Sequence, residues 1–336
     1  MNESFISEFY IASCTQDGGV TRFGLAEDGT LTKTGWIGMV SPMWTEIIRD
    51  ADGKPERIAA AVRDAEKGET YAEYRIADGE KVFSPIPTLG KEFCHFAIDG
   101  EDIWCANYST GSVMHIHGTE TKLIEHLVPR DGELGPDAGR QERPHCHQCI
   151  LSPDKRFVLV CDLGLDSVFV YDRDLNKVST AKVPAGHGAR HSVFSLDGKK
   201  LWTLAEMGSS VTEFDWDAEN GVLTYVETVS VRPKHDGLTD AASIVLSPDG
   251  EHLYCSNRGT AHTVAHLTTR GGLKLVSQIP SGGLHPRAMG LVAGGRVLVV
   301  CNTFSDNVTL FRVKEDGELA LLSSYNVPRP LCVNEI

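Results

Sequence analysis

The chain has 336 residues, 41% hydrophobic and 23% charged, with 46 acidic against 32 basic side chains and a formal net charge of −14. Nucleic acid and anionic membrane both bind through dense positive charge, so this balance excludes them as main partners. An anionic ligand would have to be met by a local cluster of arginines. The N-terminal MNESFISEFYIASC has no basic segment leading into an apolar core, and no stretch approaches the roughly 18 apolar residues of a membrane span. A cytoplasmic protein is expected. The nine cysteines are odd in number and sit mostly in apolar runs such as IWCAN, VLVCD, LYCSN and VLVVC. That placement fits buried reduced thiols better than a disulfide framework.

In chain order, the first alternating segment is Phe5–Ser13, followed by GGVTRFGL and DGTLTKTGW. EIIRDADGKPERIAAAV then opens a motif that returns as FAIDGEDIWCAN, LSPDKRFVLVCD, FSLDGKKLWTLAE, LSPDGEHLYCSN and GLVAGGRVLVVCN. Each copy reads as an apolar strand, a tight turn and a second apolar strand ending in a small and then a polar residue. Alternating segments such as SVFVYD, SVTEFDWD and NVTLFRV follow, then a G-x-L turn and one more strand. About four short strands per unit, with no sustained helical period, predict the blades of an all-β propeller. Seven units are counted, forming one domain over residues 1–336. The first unit lacks a leading strand and Leu331–Ile336 is a spare one, so pairing the two ends would close the ring and remove its exposed edges.

Equivalent positions in successive blades ring one opening. Aligned on Leu151, Phe194, Leu246 and Leu291, the residue four earlier is His147, Arg190, Ala242 and Arg287. After the second strand, Asn107, Asp162, Asn257 and Asn302 coincide, and one step on come Tyr108, Glu206 and Arg258, with Arg63 at the same step if an insertion is allowed. These sets should converge on the channel mouth and give it positive charge suited to phosphate or carboxylate. The same residues would also serve as ion pairs and hydrogen bonds between blades.

RQERPHCHQCILSPDKRFVLVCDLGLDSVFVYD resembles the repeat of the seven-bladed lactonase family, with its R-Q-E-x-P-H-x-H and D-L-G-x-D patterns. GARHSVFSLDGKKLWTLAE, SIVLSPDGEHLYCSNRG and HPRAMGLVAGGRVLVVCN resemble the repeats that follow. The resemblance covers nearly the whole chain, strongest from Arg140 to Val313 and weakest over Pro42–Pro87. That family includes 6-phosphogluconolactonases of the pentose phosphate route and carboxymuconate-cyclising enzymes. For the cyclising branch it implies a channel constellation of one His, two Arg and one Glu, which fall here on His147, Arg190, Arg258 and Glu206.

A lactonase adds water to an ester carbonyl, and His147 is the natural general base; a desolvated Glu206 is the other candidate, or it orients the imidazole. Arg190 and Arg258 would hold the anion or the oxyanion. Substrate contacts are expected from Arg287, Arg63, His145, Asn107, Asn257 and Asn302. The expected function is hydrolysis of an anionic sugar lactone of the 6-phosphogluconolactone kind by a monomer or weak homodimer without a cofactor. Lactonising cycloisomerisation and non-catalytic binding of a small anion or a protein are the alternatives. His145, Cys146, His147 and Cys149 lack a second ligand pair at zinc spacing, so no metal is expected. Cys105, Cys161, Cys255 and Cys301 repeat one position and read as core. His187 and His191 in HGARH and His235 in PKHDG read as loop residues, with His187 bordering the site.

Overall fold

The computed structural model describes residues 5–64, 66–127, 133–234 and 237–336, and His235 lies outside them. Among the described residues there is no helix; the strands form seven four-stranded antiparallel sheets. The first strands of successive sheets, Trp44–Arg49, Phe93–Asp99, Cys146–Leu151, Ala189–Phe194, Ala241–Leu246 and Pro286–Val292, touch one another in sequence and surround a central channel. The seventh inner strand is Pro330–Glu335. It pairs with Ser7–Ser13 across Phe9↔Glu335 and Ile11↔Val333, so the two ends of the described chain share one blade.

Seven apolar clusters fill the ring, each drawn from two neighbouring blades. This follows from strand alternation: both faces of each sheet are apolar, and each must be covered by the next sheet. Trp104 illustrates it. Its ring is fully buried between the third and fourth blades, its indole N–H donates to the Arg173 carbonyl at 3.1 Å, and the Arg173 guanidinium lies 4.8 Å above it. The repeated cysteines Cys105, Cys161, Cys255 and Cys301 are buried in these clusters as expected of core thiols.

The repeated turn after each inner strand is built by its own side chains. In Ser247–Pro248–Asp249–Gly250, the Glu251 N–H donates to Asp249 Oδ1 at 2.9 Å and the His252 N–H to Ser247 Oγ at 3.0 Å, with Gly250 at φ +76°. Ser152/Asp154 and Ser195/Asp197 repeat the pattern. In the seventh blade VAGG replaces it, and Ala293 takes up a left-handed φ of 57°.

Candidate active site

A β-bulge opens most of the inner strands. Pairing slips between Phe93 and His95, Cys146 and Gln148, Ala189 and His191, and Pro286 and Ala288. The skipped residues are Cys94, His147, Arg190 and Arg287. A bulge residue leaves the strict alternation of the strand, and its side chain is re-aimed. Here all four are turned to the channel. In the sixth blade the slip between Ala241 and Ile244 delivers Ala242 and Ser243 instead.

The second set is pinned by a repeated backbone bond. The N–H groups of Tyr108, Leu163, Glu206, Arg258 and Thr303 donate to the carbonyls of Glu92, His145, Gly188, Asp240 and His285 at 2.8–3.1 Å. Each bond ties the residue after a second strand to the loop entering the neighbouring inner strand. Tyr108, Glu206 and Arg258 are thereby brought to the same mouth as the bulge residues.

Two chambers result. The outer one, about 420 Å³, is bounded by Arg140, His147, Glu206, Arg258, Arg287 and Tyr108, with Arg63, Glu69 and Glu92 at its rim. Behind it lies a chamber of about 70 Å³ lined by Arg190, His191, Ser243 and Trp44. Met43, Cys94, His147 and Arg287 line both and form the partition.

Glu206 is the hub. Its Oε2 accepts the Arg190 Nε–H at 2.8 Å and lies 2.8 Å from Arg258 Nη2, while Oε1 accepts from Arg140. Burial alone would push this carboxyl up, but Arg258, Arg190, His147 and Arg140 outweigh it and hold it well below the ordinary carboxylate range. Glu206 is therefore held as a carboxylate by its arginines, an arrangement that favours its reading as an anchoring and orienting group over that of the base. Glu206 pairs with Arg140, Arg190 and Arg258, Arg140 also lies 4.0 Å from Asp240, and Arg287 adds a fourth guanidinium beside them. The surplus is the local positive charge that the acidic chain as a whole lacks.

His147 is buried, with its Nε2 3.9 Å from Glu206 Oε2 and its Nδ1 without a hydrogen-bond partner. Burial, reinforced by the Arg190 and Arg287 charges against the opposing pull of Glu206, drives its pKa well below the usual imidazole value. The ring is neutral at physiological pH, and its unpartnered nitrogen is available to accept from a water molecule, as a base weaker than an ordinary imidazole. It meets Tyr108 edge-on at 5.3 Å and His191 at 5.2 Å.

Arg190 lies deeper than expected. It is buried, donates to the Ala242 carbonyl and packs against the His191 ring, and it lines the inner chamber but not the outer one. Burial and the Arg258 charge lower its pKa to about 9, still cationic at neutral pH. It orders Glu206 rather than reaching the outer cavity. Arg258, Arg287 and the exposed Arg63 do line that cavity; Arg63 sits 3.4 Å from Glu69.

Four residues expected to contact substrate line neither chamber. His145 stacks on Tyr108 at 4.4 Å between ring centres, and its Nε2 is 3.3 Å from Glu142, so it buttresses the wall. The Nδ2 groups of Asn107, Asn257 and Asn302 donate to Ser112 Oγ, the Val231 carbonyl and the Ser281 carbonyl at 3.3, 2.9 and 3.3 Å. They staple strand ends to loops. His191 is a further correction: it belongs to the inner strand Ala189–Phe194, not a loop, and its ring lines the channel. His187 stays outside the chambers, with Nδ1 2.8 Å from Ser210 Oγ.

Arg140 was missed as a site residue. It follows a turn closed by Asp137, whose carboxylate accepts the Gly139 and Arg140 N–H groups, and Gln141 Nε2 ties the loop to Asp166 at 2.8 Å. Arg140 thus reaches Glu206 from a loop with no counterpart in other blades. Its only sequence signal is the R of the R-Q-E-x-P-H-x-H pattern. Cys94 and the rim carboxylates Glu69 and Glu92 were likewise not anticipated.

Residues 8–335 match the family Lactonase, 7-bladed beta-propeller. The 6-phosphogluconolactonase of Bacillus subtilis (strain 168) is 29% identical over 300 residues, 85% of this chain and 82% of that protein. A solved Lactobacillus plantarum protein superimposes with a TM-score of 0.88 at 26% identity, covering 98% of this chain and 99% of that one. The periplasmic gluconolactonase of Pseudomonas aeruginosa shares the fold, with a TM-score of 0.84 at 23% identity and the same coverage. With the family match running almost end to end over a seven-bladed ring, the chain belongs to the seven-bladed β-propeller lactonase family.

Proposed function

We propose that the protein is a lactone hydrolase acting on an anionic sugar lactone, with 6-phosphogluconolactone as the leading substrate. The observation that carries this reading is a neutral imidazole with an unpartnered nitrogen, His147, set among the guanidinium groups of Arg140, Arg258 and Arg287 in one cavity. Its volume of about 420 Å³ lies within the range of small-molecule sites. The name borne by the Bacillus subtilis relative supports the substrate class.

In this reading Arg258, Arg287 and Arg140 hold the anionic group and steady the oxyanion as it develops. His147 removes a proton from water as its oxygen adds to the lactone carbonyl carbon. The tetrahedral intermediate then expels the ring oxygen, which takes the proton back from the imidazolium. Glu206 keeps the arginines in place and stabilises the transient imidazolium. Muconate-type cyclisation fits less well, because it needs an acid to protonate carbon. Here Glu206 is ionised, His147 is neutral, and burial raises the pKa of the Tyr108 phenol.

The test is lactone hydrolysis measured on 6-phosphoglucono-δ-lactone and glucono-δ-lactone, with the spontaneous rate subtracted. Acceleration that favours the phosphorylated lactone and is lost in His147→Ala is expected. No acceleration of either lactone overturns the activity, and equal rates for wild type and His147→Ala overturn the site.

A further inference from the structure

The inner chamber has no role in the hydrolysis described above, yet it is not an ordinary packing gap. Two cations line it, Arg190 and Arg287, and no carboxylate does. Arg190 spends its Nε on Glu206 and donates to the Ala242 carbonyl. Arg287 forms no hydrogen bond and no ion pair with any described residue, although it is partly buried and stands in the partition between the chambers. The neighbouring polar pair is spoken for: Thr45 Oγ1 donates to Asn334 Oδ1 at 2.6 Å, and Asn334 Nδ2 donates to the Thr45 carbonyl at 2.9 Å. Ser243 Oγ accepts the Met289 N–H at 3.2 Å, which leaves its own hydrogen free to donate. The charged groups that face the chamber are therefore both cations, set beside the neutral rings of His147 and His191. Charges withdrawn from water require a counter-charge; Glu206 is already shared by Arg190, Arg258 and Arg140, and Arg140 also lies 4.0 Å from Asp240, which leaves Arg287 without one among the described residues.

We propose that the inner chamber is a binding site for a small monovalent inorganic anion, of the size of chloride or bromide, held between Arg190 and Arg287 with the Ser243 hydroxyl as a third donor. Its volume of about 70 Å³ admits such an ion and excludes a sugar phosphate, so the ion and the substrate occupy different chambers. Ala288, Met289, Leu331 and Val333 give the chamber an apolar side, which favours a weakly hydrated halide over a multiply charged oxyanion. This site does not depend on the lactonase reading.

Bromide is the probe. Crystals of the wild-type protein soaked in sodium bromide should show an anomalous peak within hydrogen-bonding reach of both guanidinium groups. In solution the melting temperature should rise saturably with bromide, by about 2 °C at saturation, over an equal ionic strength of methanesulfonate. Ala288→Leu fills the chamber and should abolish both effects. A peak confined to the outer chamber, or none with no specific stabilisation, overturns the proposal. The wild-type diffraction measurement decides the matter even if Ala288→Leu does not fold.

Discussion

Arg258 Nη2 stands 2.8 Å from Glu206 Oε2, the oxygen that also receives the Arg190 Nε–H at 2.8 Å. One buried carboxylate oxygen thus joins residues from the fifth and sixth blades. Replacing it leaves buried cations facing one another, and breaking one side of such a pair typically costs about 3–5 kcal/mol. Glu206→Gln should lower stability to that order in chemical denaturation and reduce kcat. Glu206→Asp, which keeps the charge, should recover part of the stability. Wild-type stability in the Gln variant would show that the cluster is not organised by this carboxylate.

His147 is the group whose loss should damage the chemical step. His147→Ala is expected to lower kcat by about 10²–10⁴-fold with a smaller change in KM. Because its pKa is depressed, the proton-accepting form already predominates at pH 6.5. The kcat/KM profile should therefore stay level down through that region and fall only in more acidic solution. An acid limb centred near the ordinary imidazole value would place the titrating base elsewhere.

Arg287 separates binding from stability. Since no described carboxylate pairs with it, Arg287→Gln should leave the fold as stable as wild type or slightly more so. It should raise KM for a phosphorylated lactone about tenfold, a loss of ~1.4 kcal/mol, and barely affect an uncharged lactone. Steady-state kinetics on the two lactones side by side checks this. An equal loss on both would mean that Arg287 does not read the anion.

Asp162 occupies the position held in other blades by Asn107, Asn257 and Asn302. Its Oδ1 accepts the Leu165 N–H at 2.8 Å, but Oδ2 is buried without a partner, and burial raises its pKa to about 7. The folded state therefore holds this proton more tightly than the unfolded chain does. Stability associated with the protonated form is complete below the unfolded carboxyl value and is lost as pH rises through about 7. Asp162→Asn should remove that loss, raising the melting temperature more at pH 8 than at pH 5. Scanning calorimetry at the two pH values is the measurement.

The ring was legible because its evidence is repetitive: six copies of one motif, and a spare apolar strand, Leu331–Ile336, matching a first blade without a leader. His147, Glu206 and Arg258 were legible from register for the same reason. Register fails where a bulge intervenes. Simple alternation would point Arg190 and His191 to opposite sides, whereas the slip between Ala189 and His191 brings both to the channel. Nor does it say how deep a side chain lies, so from register alone Arg190 reads as a substrate contact and three strand-end asparagines read as ligands. Arg140 escaped because its loop occurs once, and a residue without repeats carries no periodic signal.

The closing strand Pro330–Glu335 does more than latch the first blade, since Leu331, Cys332, Val333 and Asn334 all belong to the wall of the inner chamber. That wall comes from the partner of Ser7–Ser13, more than 300 residues away along the chain, a separation that makes it a slow contact to form. During refolding, six blades can regain their sheet structure before the chamber exists at all. Recovery of anion binding would then trail recovery of the strand signal, and the lag between them would time the joining of the ring.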